Sequence, residues 1–344
     1  MKTLPPGPLM IDIAGTALTG LDRERLCHPL VGGIILFSRN FSDVAQLESL
    51  TAEIRSLRQP RLLIAVDHEG GRVQRFRQGF TRLPAMAALG AAWEQDAAGA
   101  LEKAQQVGFV LAAELRARGI DLSFTPVLDL DYGCSSVVGN RAFHRDPAVV
   151  AHLAGALIDG LRRAGMAACG KHFPGHGHVE ADSHVAIPVD DRSLEELQED
   201  MAPYRRLALD AVMPAHVTYP RVDDRTAGFS PKWINYLRED IGFQGVVFSD
   251  DLSMAGASVA GGVLDRVEAA YRAGCDMLLL CNAPDSVGEV LGNWCPVLDP
   301  DREAARRRRL DRLLPAMPCP GWSCLQADTD YQVAVSATTA LAVA

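Results

Sequence analysis

Residues 245–251 read GVVFSDD: a run of apolar residues that stops on Ser249, Asp250 and Asp251. The run is too short to bury one face of a helix but long enough for a strand, so it reads as a buried strand with a polar end. Side chains alternate along a strand. With Asp250 at the open end, Val246 and Phe248 share its side, and Val247 and Ser249 face the other way. The same arrangement recurs at residues 9–14, 31–37, 62–66, 122–127, 166–169, 211–214 and 276–280. Segments of helical spacing lie between the runs. Val44, Leu47, Leu50 and Ile54 follow a cap at Ser42 or Asp43. Further helices are expected over residues 98–118, closed by Gly119, from Pro147 onward, and over 194–209, 231–240 and 263–273.

Eight short strands separated mostly by helices predict an α/β fold, a parallel (β/α)8 TIM barrel forming a single domain over residues 1–314. Residues 315–344 are expected to be a C-terminal tail, packed on the barrel or partly mobile. A doubly wound open sheet is the competing arrangement. It would gather its ligand residues at one switch point. Here Asp67, Asp129, Lys171, His216, Asp250 and Asn282 follow six different strands, which favours the barrel.

The chain has 344 residues, 48% of them hydrophobic, enough for a large core in one domain. A formal charge of -9 argues against a nucleic-acid or anionic-membrane partner. The opening residues, MKTLPPGPLM, lack the apolar core of an export signal, and no stretch approaches the length of a membrane span. A cytoplasmic protein is expected. Eight cysteines are scattered along the chain. Cys169, Cys275 and Cys281 lie in or beside apolar runs, where reduced thiols pack as small hydrophobes. Cys319 and Cys324 lack zinc-site spacing. The charge run at residues 306–309 reads as a solvated helix face.

Residues 171–184, KHFPGHGHVEADSH, hold four histidines, one lysine and two carboxylates. Pro174, Gly175 and Gly177 break regular structure, so the stretch reads as a loop. Titratable groups at this density suit a functional site; the plain alternative is a solvated polar loop. Asp182 and His184 form an Asp-x-His unit in which the carboxylate fixes the tautomer and the imidazole moves a proton near neutral pH. Asp67, with Arg72 and Arg75 beyond two glycines, suits sugar hydroxyls, the carboxylate accepting and the guanidinium donating. Arg141 is placed to join them from the fourth loop. Asp250 is either a nucleophile or a helix cap.

Three chemistries use these pieces. Asp250 attacks an acetal carbon with His184 as acid/base, a variation on the usual pair of carboxylates. Alternatively, the histidines and aspartates bind a metal that activates water, although the glycines and prolines around His176 and His178 give no fixed ligand geometry. The third possibility is a non-catalytic sugar-binding barrel.

The segments VDHEGGRVQRF, GNRAFHRD, KHFPGHG followed by Asp-Ser-His, and FSDDLSM occur in this order. Together they resemble the β-N-acetylglucosaminidases of family 3 glycoside hydrolases, most of all the single-domain bacterial enzymes of cell-wall recycling. The resemblance runs from about residue 9 to 282. It implies that Asp250 is the nucleophile and His184 the proton donor and acceptor, assisted by Asp182. It further implies that Asp67, Arg75, Arg141, Lys171 and His172 hold the sugar ring. No cofactor and no metal are implied, and the substrate is a GlcNAc-containing muropeptide. Related members cleave glucosides or transfer to phosphate. His68 stands where the family pattern has Gln, and only tuning of the pocket is expected from it.

Overall fold

The computed structural model describes residues 2–180, 188–297, 299–315 and 321–343. Among them, two main sheets hold eight parallel strands: β1 (Leu9–Ile11), β2 (Val31–Leu36), β3 (Leu63–Val66), β4 (Leu122–Ser123), β5 (Cys169–Phe173), β6 (Ala211–Pro214), β7 (Val246–Val247) and β8 (Leu278–Leu280). The fold is α/β. One sheet runs β8-β1-β2-β3-β4 and another β7-β6-β5. Single parallel bridges cross the gaps between them, Val127 with Lys171 and Phe248 with Met277. Backbone bonds accompany each bridge: Leu128 N–H donates to the Lys171 carbonyl at 2.6 Å, and Ser249 N–H to the Met277 carbonyl at 2.8 Å.

Alternation sorts the strand residues into two cores. Met10, Ile35, Leu63, Ala65, Met213, Val246, Phe248 and Leu279 belong to one cluster. Their strand neighbours Ile11, Ile34, Leu36, Ile64, Val212, Val247 and Leu280 belong to the other, with the helices. Val246 and Phe248 therefore share one side and Val247 takes the opposite, as the sequence predicted. Within the first cluster Phe124 and Phe248 meet edge to face at 5.0 Å, an arrangement that aromatic quadrupoles favour.

Helices α1 (Gly20–Leu26), α2 (Val44–Ser56), α3 (Met86–Trp93), α4 (Ala97–Ala117), α5 (Pro147–Arg163), α6 (Gln198–Arg206), α7 (Pro231–Glu239), α8 (Val263–Ala273) and α9 (Pro284–Asn293) follow in order. Asp43 caps α2 by accepting from Gln46 N–H at 2.9 Å. Asp146 caps α5 in the same way, with Pro147 in the first turn. Gly119, just past α4, adopts the positive φ of 83° expected of a helix stop. The α6 region is shorter than the predicted 194–209, and α1, α3 and α9 were not anticipated.

Two expectations are corrected. The fifth strand is displaced toward the C-terminus: Lys171, His172 and Phe173 are strand residues, not the start of the loop. A charged lysine ended the apolar run in the sequence, but here its charge is paired inside the protein, so the strand continues through it. The charge run is also not a wholly solvated face. In α10 (Pro300–Asp311) Arg306 is buried, bonded to Glu303 and to the carbonyls of Pro6 and Gly7. Leu310 and Leu313, beside it, pack into the cluster that holds Met10 and Phe248.

Two more helices, α11 (Trp322–Ala327) and α12 (Thr329–Val343), end the chain, and α12 packs on α4. Among the described residues no helix is long and apolar enough to cross a membrane.

Candidate active site

The strand ends named from the sequence converge. A cavity of about 680 Å³ is lined by Asp67, Glu69, Arg75, Arg141, Lys171, His172, Asp250 and Asn282, among others. That volume is in the range of small-molecule sites. Asp67 directly follows β3. A short antiparallel hairpin, His68–Gly70 with Val73–Gln74, then brings Arg75 back beside it. Gly70 and Gly71 make its turn with φ of 114° and 54°, a region that side chains disfavour.

One wall is a connected set of charges. Lys171 Nζ lies 2.9 Å from Asp67 Oδ1 and 2.6 Å from Glu69 Oε1. Arg141 forks both oxygens of Glu69, at 2.7 and 2.8 Å, the planar match that makes such pairs strong. Arg75 completes the set 3.5 Å from Asp67. Burial alone would lower the Lys171 pKa, but Asp67 and Glu69 outweigh it and hold the ammonium charged. Burial would likewise raise Glu69, and Arg141 and Lys171 pull it far below the usual range.

Lys171 and His172 are consecutive, yet both line the cavity. The pairing of β5 with β6 shifts register at this point: Lys171 sits opposite Met213 and Phe173 opposite Pro214, leaving His172 out of the ladder. Such bulges re-aim side chains. His172 Nδ1 is 2.7 Å from Asp129 Oδ2, and Asp129 Oδ1 accepts the backbone N–H groups of His172 and His176 at 3.2 and 2.8 Å. Burial would raise Asp129, but His172 and these hydrogen bonds outweigh it, and the pKa is lowered.

Asp250 and Asp251 are adjacent but differ in kind. Asp251 is tied down: Oδ1 accepts from the N–H groups of Ser253 and Cys281 at 3.0 and 3.1 Å, and Oδ2 from the Ser253 hydroxyl at 2.9 Å. Burial pushes its pKa up to about 6. Asp250 Oδ1 accepts the Asp251 N–H at 2.8 Å. Burial would raise this carboxyl too, but His216, His172, that N–H and Lys171 together bring it below the ordinary carboxylate value. His216 Nε2 lies 3.1 Å from the Asp251 carbonyl, which steadies the same turn.

Asp67, Arg75, Arg141, Lys171, His172 and Asp250 are thus brought to one cavity. Asp182 and His184 lie outside the described residues. Glu69 and Asp129 were not anticipated as site residues. Glu69 sits in the quoted DHEGG segment, where an acid directly before two glycines was the available signal. Asp129 was visible as a strand-end carboxylate, but its hold on His172 depends on two strands meeting. His68 does not line the cavity. It packs behind it, 5.9 and 5.7 Å from the rings of Phe76 and Phe80, and burial lowers its pKa to about 3. Among the described residues no group of three or more His, Cys, Asp or Glu side chains is placed to hold a metal ion.

Residues 11–299 match the family described as Glycosyl hydrolase family 3 N terminal domain. The chain belongs to glycoside hydrolase family 3. This family 3 enzyme is 59% identical over 338 residues to a protein of Bordetella avium named Beta-hexosaminidase, covering 96% of this chain and 94% of the relative. A Beta-hexosaminidase of Aromatoleum aromaticum is 61% identical over 306 residues, covering 87% and 86% of the two chains. Among solved structures, NagZ from Neisseria gonorrhoeae in complex with N-trifluoroacetyl-D-glucosamine superposes with a TM-score of 0.93 at 51% identity, over 99% of this chain and 100% of that one. A family 3 beta-N-acetylglucosaminidase from Paenibacillus sp. superposes with a TM-score of 0.84 at 30% identity, over 97% of this chain and 67% of that one. The family 3 enzyme is therefore a glycoside hydrolase, and these likenesses extend along most of its length.

Proposed function

We propose that the family 3 enzyme is a retaining exo-β-N-acetylglucosaminidase that removes terminal, non-reducing β-linked GlcNAc from muropeptides in the cytoplasm. The observation that carries this is the contrast between Asp250 and Asp251. A nucleophile must be ionised and must face its substrate. Asp251 is occupied by Ser253 and Cys281. Both carboxyls line the cavity, and Asp250 is the one held below the ordinary carboxylate range. The names of the relatives and the sugar analogue bound by the gonococcal protein support the substrate class.

On this reading Asp67, Arg75, Arg141, Lys171 and His172 bind the sugar ring. Asp250 attacks the anomeric carbon and His184 donates a proton to the departing oxygen. The bond to the leaving sugar breaks as the glycosyl–Asp250 ester forms. His184, now neutral, takes a proton from water, whose oxygen attacks the same carbon and releases Asp250. Two displacements retain the configuration. Asp182 stabilises the imidazolium and orients the ring. The fold that carries the site is read as a closed (β/α)8 barrel over residues 1–314. The two bridges across the sheet gaps and the separate inner cluster support closure. Residues 315–344 are read as a C-terminal extension.

The test is release of aryl alcohol from an aryl β-N-acetylglucosaminide, with a chelator present, by wild type and Asp250→Ala. Turnover that falls about 10³-fold or more in the variant, with the β anomer formed first by NMR, is expected. A first-formed α anomer, or an active Asp250→Ala, would overturn the assignment.

A further inference from the structure

The last described helix is linked to the cavity wall through Glu114, Thr81 and Gln74. Tyr331, in α12, is buried, and its hydroxyl donates to Glu114 Oε1 of α4 at 2.7 Å. Glu114 is buried too. Its Oε2 accepts the backbone N–H of Thr81 at 2.8 Å, and its Oε1 accepts the Thr81 hydroxyl. Thr81 closes the segment that begins at the cavity. Gln74 Nε2 donates to the Thr81 carbonyl at 2.8 Å, and Gln74 Oε1 accepts Leu83 N–H at 3.0 Å. The residue after Gln74 is Arg75, which lines the cavity beside Asp67.

We propose that Tyr331 is a positioning residue for sugar binding: through Glu114 and Thr81 it holds residues 74–83 in the shape that sets Arg75 at the cavity. The proposal rests on the reading of Arg75 as a sugar-binding residue. Glu114 serves as the joint because a buried carboxylate needs every donor it can find. Here three donors from two distant parts of the chain meet on it. Burial pushes the Glu114 pKa up, and the Thr81 and Tyr331 donors oppose that rise; without the Tyr331 hydroxyl the carboxyl is under-satisfied and its hold on Thr81 weakens. A network of this kind transmits the loss to its other members.

The experiment compares wild type, Tyr331→Phe and Thr81→Val with an aryl β-N-acetylglucosaminide. Sugar contacts of this sort serve ground state and transition state alike, so KM should rise about three- to tenfold with kcat nearly unchanged. The double variant should be less than additive, because both changes act on one carboxylate. Amide exchange over residues 74–83 should quicken in Tyr331→Phe. Unchanged KM and unchanged exchange in a folded Tyr331→Phe would overturn the proposal, as would a fall in kcat at constant KM. If Tyr331→Phe does not fold, Thr81→Val carries the same KM test from the loop side. A wild type that does not turn over the substrate would defeat the functional reading instead. Exchange over residues 74–83 would then still decide whether Tyr331 controls that segment.

Discussion

Lys171 Nζ and Glu69 Oε1 are 2.6 Å apart, with side chains only 3% and 2% exposed. Neither charge has water to fall back on. A buried pair gives modest net stability when intact, but removal of one partner strands the other at a cost of about 3–5 kcal/mol. Glu69→Ala strands Arg141 and leaves Lys171 with Asp67 alone, so a loss of that size is expected in urea unfolding at neutral pH. The folded-state pKa of Glu69 is depressed. Its stabilisation is therefore present above the unfolded value and lost as pH falls below it. Between pH 5 and pH 3 the wild type should lose stability faster than Glu69→Gln. Parallel loss in the two proteins would show that Glu69 is not the group titrating.

The depressed pKa of Asp250 has a kinetic consequence. Protonating the nucleophile should lower kcat/KM only below the ordinary carboxylate range. Asp251, raised to about 6, is the neighbouring group that titrates in the working range. Any acid limb near pH 6 should shift in Asp251→Asn. A limb above pH 5 that persists unchanged in that variant would contradict an ionised Asp250.

His184 is expected to act on the leaving group. Its replacement by Ala should cost about 10²–10⁴-fold on natural disaccharides, whose alkoxide leaves poorly. Activated aryl glycosides need little protonation and should suffer less in the first step. Equal losses on both substrates would argue that His184 has another role.

Arg306 lies on the side of the strands away from the cavity. It bonds Glu303 at 2.7 Å and carries the carbonyls of Pro6 and Gly7. Arg306→Ala should destabilise the fold by about 3–5 kcal/mol, because Glu303 stays buried without its partner. The kinetic constants of the remaining folded enzyme should match wild type at 25 °C. A variant of unchanged stability would return this arginine to the solvated surface that the charge run suggested.

The sequence was most legible where structure is set by local pattern. Alternation placed Val246 and Phe248 opposite Val247, and Asp43, Pro147 and Gly119 marked helix ends through chemistry confined to a turn. The site was legible as strand-end polar residues and as motifs, which brought Asp67, Arg75, Arg141, Lys171, His172 and Asp250 to notice before any contact was known. Glu69 was missed because its importance comes from Arg141 and Lys171, far away in the chain.

By itself, then, the sequence determined most of the strands, several helix caps and the residues that carry charge toward one end of the strands. These follow from periods of two and 3.6 and from backbone preferences within a few residues. Only the tertiary structure decided which charges are paired. It carried β5 through Lys171, buried Arg306 in what looked like a solvated run, and separated Asp250 from Asp251. Pairing and burial depend on groups brought together from distant segments, and they set whether a charge is stable in the interior and at which pH it is kept.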